Sequence, residues 1–171
     1  MKSDPGAKAM SNLQRQLKLI AALLREETTL SLATTCADGE PSIAPLFYIA
    51  DEELNLYWLS SRSSEHSQNL LRSPRASAAI YCSAKSWREI RGVQLRGPVG
   101  IVAEPERRAV IVKKYCERFN LGRVFSLAIR RSTLYSLQPE FFRLIDNSKG
   151  FGGNFELTRP PEGWPLSPPA A

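Results

Sequence analysis

The sequence predicts a mainly β fold: one antiparallel sheet, closed into a barrel or sandwich, with a few peripheral helices. Three observations carry this. Six or seven separate runs between residues 29 and 146 alternate apolar and polar residues with the period of a strand. The early runs are joined by short turn formers, Asp38-Gly39 and Asp51-Glu52-Glu53, which suit antiparallel neighbours. Strand and helix alternate too sparsely for a parallel sheet, and neither a GxGxxG nor a P-loop is present. At 171 residues and 43% hydrophobic, the chain fits one domain with a sizeable core.

The elements follow in order. Residues 1–10 are polar at the start and are expected to be loose. Ser11 with Gln14 reads as a capping box, and Leu13, Leu17, Ile20 and Leu24 form one helical stripe. Strands are expected over 29–36, 41–50 and 54–60. Pro45 donates no ladder bond, so its strand belongs at an edge or a bulge. A short helix follows and stops at Ser73-Pro74. Further strands are expected over 76–82 and 92–102, the second bent at Gly97-Pro98. Glu104-Pro105-Glu106 opens another helix, with Ala109, Val112, Cys116 and Phe119 as its buried stripe. That helix ends at Asn120-Leu121-Gly122, and final strands run over 134–137 and 141–146. The stretch between them has no clear period. The domain is expected over 11–157, and 158–171 reads as a proline-rich, irregular tail.

Three cysteines, Cys36, Cys82 and Cys116, stand far apart with no CxxC spacing. That pattern fits neither a disulfide framework nor a zinc site, and it suits a reducing, cytoplasmic compartment. The single histidine, His66, excludes a multi-histidine metal centre, so no metal is expected. No apolar run approaches a membrane span and no signal peptide is visible, so no membrane partner is expected. The net charge of +6 favours anionic partners such as phosphorylated cofactors. The basic residues are scattered rather than striped with aromatics, which speaks against a nucleic-acid groove.

One stretch carries candidate chemistry. The strand Leu54 to Leu59 runs into Ser60-Ser61-Arg62-Ser63-Ser64-Glu65-His66-Ser67 at the head of a helix. Hydroxyls, a guanidinium, an imidazole and free helix N–H groups together suit a phosphate. The competing reading is an ordinary capped helix after a strand.

With these residues in view, the stretch from Leu32 to Val102 resembles the pyridoxamine 5′-phosphate oxidase-like, FMN-binding split-barrel proteins. The resemblance rests on order and spacing. It runs through Leu32-Ala33-Thr34, Pro45-Leu46-Phe47-Tyr48 and Leu56-Tyr57-Trp58-Leu59-Ser60-Ser61. It continues through His66-Ser67-Gln68-Asn69-Leu70, Pro74-Arg75-Ala76 and Gly92-Val93-Gln94-Leu95-Arg96-Gly97. Arg143 to Asn147 with Gly150-Phe151-Gly152 looks like a small bacterial branch.

The resemblance implies a six-stranded, Greek-key split barrel and a homodimer with FMN at the subunit interface. It implies that the ring lies against Leu46, Phe47 and Tyr48. The phosphate and ribityl chain would lie by Ser60, Ser61 and Arg62, with His66 and Ser67 in the following helix and Gln94 near the ring. His66 beside a dianion is expected to titrate above its ordinary value. The ring-binding strand lacks the basic residues of the vitamin B6 oxidase. The terminal Gly163-Trp164-Pro165-Leu166-Ser167-Pro168 also lacks its arginine, so vitamin B6 oxidation is not implied.

The function expected is that of an FMN-dependent oxidoreductase passing a hydride between a small molecule, or reduced nicotinamide, and the flavin. The alternatives are a non-catalytic flavin- or haem-binding protein, with His66 as a conceivable axial ligand, and a basic barrel that binds nucleic acid. No catalytic residue is assigned.

Overall fold

A computed structural model describes residues 5–122, 125–150 and 152–165. Helix α1 spans Pro5–Glu26. It begins ahead of Ser11, so the expected cap lies inside the helix, and residues 5–10 are helical rather than loose. Leu17, Ile20 and Leu24 are buried as their spacing requires, and Leu23 joins them at 0% exposure.

Strands β1 (Thr29–Thr35), β2 (Pro41–Phe47), β3 (Ile49–Ala50) and β4 (Leu56–Ser60) come next. Gly39 supplies the positive φ, 91°, that the turn between β1 and β2 needs. Helix α2 is Glu65–Arg72, and β5 is Arg75–Tyr81. A single 3₁₀ turn at Trp87–Glu89 precedes the long β6, Arg91–Ile101. Then come α3 (Pro105–Arg118), α4 (Ser126–Arg131), β7 (Thr133–Leu137), β8 (Phe141–Asp146) and β9 (Asn154–Thr158).

All pairings are antiparallel, in the order β2-β1-β5-β6-β7-β4-β3, with β8 and β9 branching from β6. Among the described residues the curled sheet has nine strands rather than six. Strand β6 makes the split. Its far edge pairs with β8 over Arg91 to Arg96 and then with β7 over Val99 to Ile101. The changeover falls at Gly97, where a Cβ would meet the Gln138 carbonyl oxygen at 2.0 Å. Only glycine permits that approach.

The main core joins α1 to the inward residues of the sheet, among them Leu30, Leu32, Leu56, Trp58, Leu95, Leu137 and Phe142. A second cluster lies under α3, built from Ile49, Tyr57, Ile111, Tyr115 and Leu134. The buried residues of α3 are therefore Ile111 and Tyr115, not the expected Ala109 and Cys116. Asn120, at φ 48°, turns the chain after α3 as expected of that segment. Helix α4 occupies a segment for which no element is expected from sequence.

Strand β9 has no counterpart among the elements expected from sequence. Beyond it Trp164 packs on Phe142 at 5.2 Å between ring centroids, and its Nε1 donates to the Pro139 carbonyl. The start of the expected tail is therefore anchored to the core, and 166–171 lie outside the described residues.

Candidate functional site

Strand β4 delivers Ser60 at its last position, and the chain turns at once into α2. Ser60 Oγ, Ser64 Oγ and His66 Nε2 form a triangle with sides of 2.7, 3.1 and 3.1 Å. Ser64 Oγ also reaches the Ser61 carbonyl at 2.9 Å and the buried Ser67 Oγ at 2.8 Å. A hydroxyl carries one proton, so these contacts share it. Ser64 is the hub of the cluster and was not singled out from sequence, although it stands within the serine run.

Arg62 is exposed, and its Nε donates to Thr133 Oγ1 at 3.2 Å. Among the described residues its two terminal nitrogens have no hydrogen-bond partner, so they are available to an anion. No sequence signal links Thr133 to Arg62, because 71 residues separate them. Glu65 opens α2 and accepts from Ser42 Oγ of β2 at 2.6 Å, tying the strand to the helix. Burial holds the His66 imidazole below its ordinary value, and the neighbouring Glu65 carboxylate offsets this in part. In the free protein desolvation thus outweighs the Glu65 charge, whereas the rise expected of His66 concerns the state with a dianion beside it.

The strand proposed to meet the ring is an open edge. Among the described residues strand β2 pairs only with β1. Tyr48 N donates to Thr28 O and Cys36 N to Glu40 O, which sets the even-numbered residues of β2 toward β1. The backbone groups of Pro41, Ile43, Pro45 and Phe47 therefore face outward. The two prolines lose no ladder bond there, which explains their place in a strand. Ile43 and Phe47 offer the outward N–H groups, and the Phe47 carbonyl accepts from Tyr115 Oη at 3.3 Å.

The side chains of the three ring-strand candidates diverge. Phe47 is 56% exposed and packs on Phe119. Leu46 is half-buried and faces inward. Tyr48 is fully buried and donates to the Leu24 carbonyl at 2.9 Å. Burial first, then the Glu27 carboxylate, raises the Tyr48 phenol far above its ordinary value. Tyr48 is a core residue, and its N–H is already taken by the Thr28 carbonyl, so of the three only Phe47 turns its backbone outward.

Gln94 lies apart from the serine cluster. It sits on the outer face of β6 and lines an open trough of about 280 Å³ with Ile43, Ala33, Ser77 and Arg143. Within one chain the structure brings together Ser60, Ser61, Ser64, His66 and Ser67, and places Gln94 with Ile43 instead.

A sequence profile described as pyridoxamine 5′-phosphate oxidase matches residues 17–144. The chain belongs to the pyridoxamine 5′-phosphate oxidase family. A UPF0306 protein of Cronobacter sakazakii is 32% identical over 110 residues, which cover 64% of this chain and 72% of that one. Among solved structures, protein Rv2991 of Mycobacterium tuberculosis superposes with a TM-score of 0.69 at 22% identity, over 77% of this chain and 85% of the other. The haem storage protein HutZ of Vibrio cholerae gives 0.61 at 23% identity, over 72% and 89%. Both share the split-barrel fold of the oxidase family. Among the described residues no helix is long and apolar enough to cross a membrane.

Proposed function

We propose that the protein is an FMN-dependent oxidoreductase acting on a small molecule, as a homodimer with FMN at the subunit interface. The observation that carries this is the hydroxyl and guanidinium cluster at the head of α2, tied through Ser42 and Glu65 to an open strand edge.

The chain's own groups suit FMN at both ends. Exposed Ser61, Ser63 and Arg62 and the α2 N-terminus would hold the phosphate. The outward N–H and C=O groups of Ile43, Pro45 and Phe47 match the alternating acceptors and donor on the polar edge of an isoalloxazine. When bound, FMN supplies hydride transfer between reduced nicotinamide or an organic donor and an acceptor. The protein orients the flavin and shields it from water. A second copy brings Gln94 toward the ring, since one chain does not unite that side chain with the serines.

A second reading is a flavin carrier without turnover. Haem binding is the weaker form of that reading. Its candidate axial ligand, His66 Nε2, is engaged by Ser60 and Ser64, and the ring is 8% exposed. The visible spectrum of the freshly purified protein tests the cofactor, with mass analysis of what heat releases. FMN in the supernatant and bleaching by reduced nicotinamide support the enzyme. A stable yellow colour that never bleaches supports the carrier. A Soret band, or a colourless protein that refuses added FMN, overturns the flavin assignment.

A further inference from the structure

The outer trough continues past Gln94 into a second chamber that the flavin reading leaves unused. It encloses about 460 Å³ and shares Ala79 and Gln94 with the first trough. Its floor is Gly92, paired with Tyr81 on one side and Ile145 on the other. The walls include Tyr81 and Ile90, which are 61% and 45% exposed despite their apolar bulk.

The wall carrying Ile90 is held in place. Asn147 Nδ2 donates to the Trp87 carbonyl at 2.9 Å, and Asn147 N donates to the Ile90 carbonyl. The Glu89 carboxylate accepts from Lys85 N and Ser86 Oγ, which closes the preceding loop. The chamber is therefore built before any ligand arrives.

Its chemistry is neutral. The one charged side chain in its lining, Arg91, faces Glu26 at 3.9 Å. Burial and the Glu27 carboxylate raise the Cys82 thiol, so it stays protonated at neutral pH. At the mouth, the Gln94 amide has no hydrogen-bond partner among the described residues. It can donate to one ligand oxygen.

We propose that this chamber binds a flat, uncharged ring compound bearing a carbonyl group, with Gln94 donating to that oxygen and Tyr81 and Ile90 flanking the ring. Its role as the substrate end of the trough rests on the flavin reading; its binding does not.

The test is a titration of the full chain, methyl-labelled and without flavin, with 1-indanone, and with indane as the probe lacking oxygen. The expected result is a saturable shift of the Ile90 and Ile145 methyl signals. Ile90→Lys weakens that binding at least tenfold and leaves FMN affinity within twofold. Gln94→Leu removes the preference for indanone over indane. No saturable shift, or shifts centred on Ile129 instead, overturns the proposal. Shifts of Ile90 and Ile145 on dilution without probe also overturn it, since a second copy then fills the chamber. Indanone binding by a protein that refuses FMN leaves the chamber standing and removes only its link to the flavin.

Discussion

Ser60 Oγ lies 2.7 Å from Nε2 of His66, at the point where a strand hands over to a helix. The pair ties the last inward position of β4 to the first turn of α2. It keeps a buried imidazole partnered while it is neutral.

The first prediction concerns pH. Desolvation keeps the free His66 below 6.5, and a bound phosphate dianion would raise it. Binding then takes up a proton between the two values, so the affinity for FMN falls as pH rises through that window. The phosphate has its own titration near pH ~6, so the ratio of wild-type to His66→Gln affinity is the quantity to follow. Fluorescence quenching from pH 5.5 to 8.5 should show that ratio declining; a flat ratio removes His66 from the phosphate site. Without ligand the sign differs. The unfolded chain binds the proton more readily, so stability is full above ~6.5 and falls as pH drops through the lowered folded value.

Arg62 should separate phosphate from ring. Removing a charged hydrogen-bond donor costs roughly 1.5–3 kcal/mol, so Arg62→Ala should weaken FMN about ten- to a hundredfold. Riboflavin, which lacks the phosphate, should bind both proteins alike. Calorimetry with the two ligands checks this, and an equal loss for both would place Arg62 elsewhere.

The open edge should carry the dimer. Ile43 is 71% exposed, so Ile43→Asp should change unfolding stability by no more than about 0.5 kcal/mol. It should nevertheless weaken self-association at least tenfold and lower flavin content in step. Sedimentation equilibrium, read beside the visible spectrum, would show a dimer unmoved by the substitution if the edge were free.

Gly97 should be intolerant. Its Cβ position lies 2.0 Å from the Gln138 carbonyl oxygen, a backbone atom that Gln138 N→Pro98 O bonding holds in place at 3.0 Å. Gly97→Ala should cost at least about 2 kcal/mol, seen as a lower urea midpoint. An unchanged midpoint would mean that the changeover in β6 relaxes easily.

Much of this was legible in the chain. The β4-to-α2 segment announces itself through alternation followed by serines, because caps and strands are local. Pro45 identified an edge strand for the same reason, since a missing N–H is a local fact. The buried stripe of α3 lies a fraction of a turn from the one its apolar residues suggest. Its apolar residues are few, and the face was chosen by the sheet beneath it. Strand β9 alternates over only five residues, Asn154 to Thr158, a short signal; the packing of Phe155 and Leu157 on the core and the pairing with β8 come from the fold.

The sheet's antiparallel character, the position of the hydroxyl cluster and the family can all be read along the chain, because they depend on short-range periodicity and residue order. Tertiary structure alone decided that Arg62 leans on Thr133, that Ser42 latches Glu65, that Tyr48 faces the core and that His66 is buried enough to resist a proton. Each of those joins residues on separate elements, where desolvation and distance are set by the packed sheet rather than by chain neighbours.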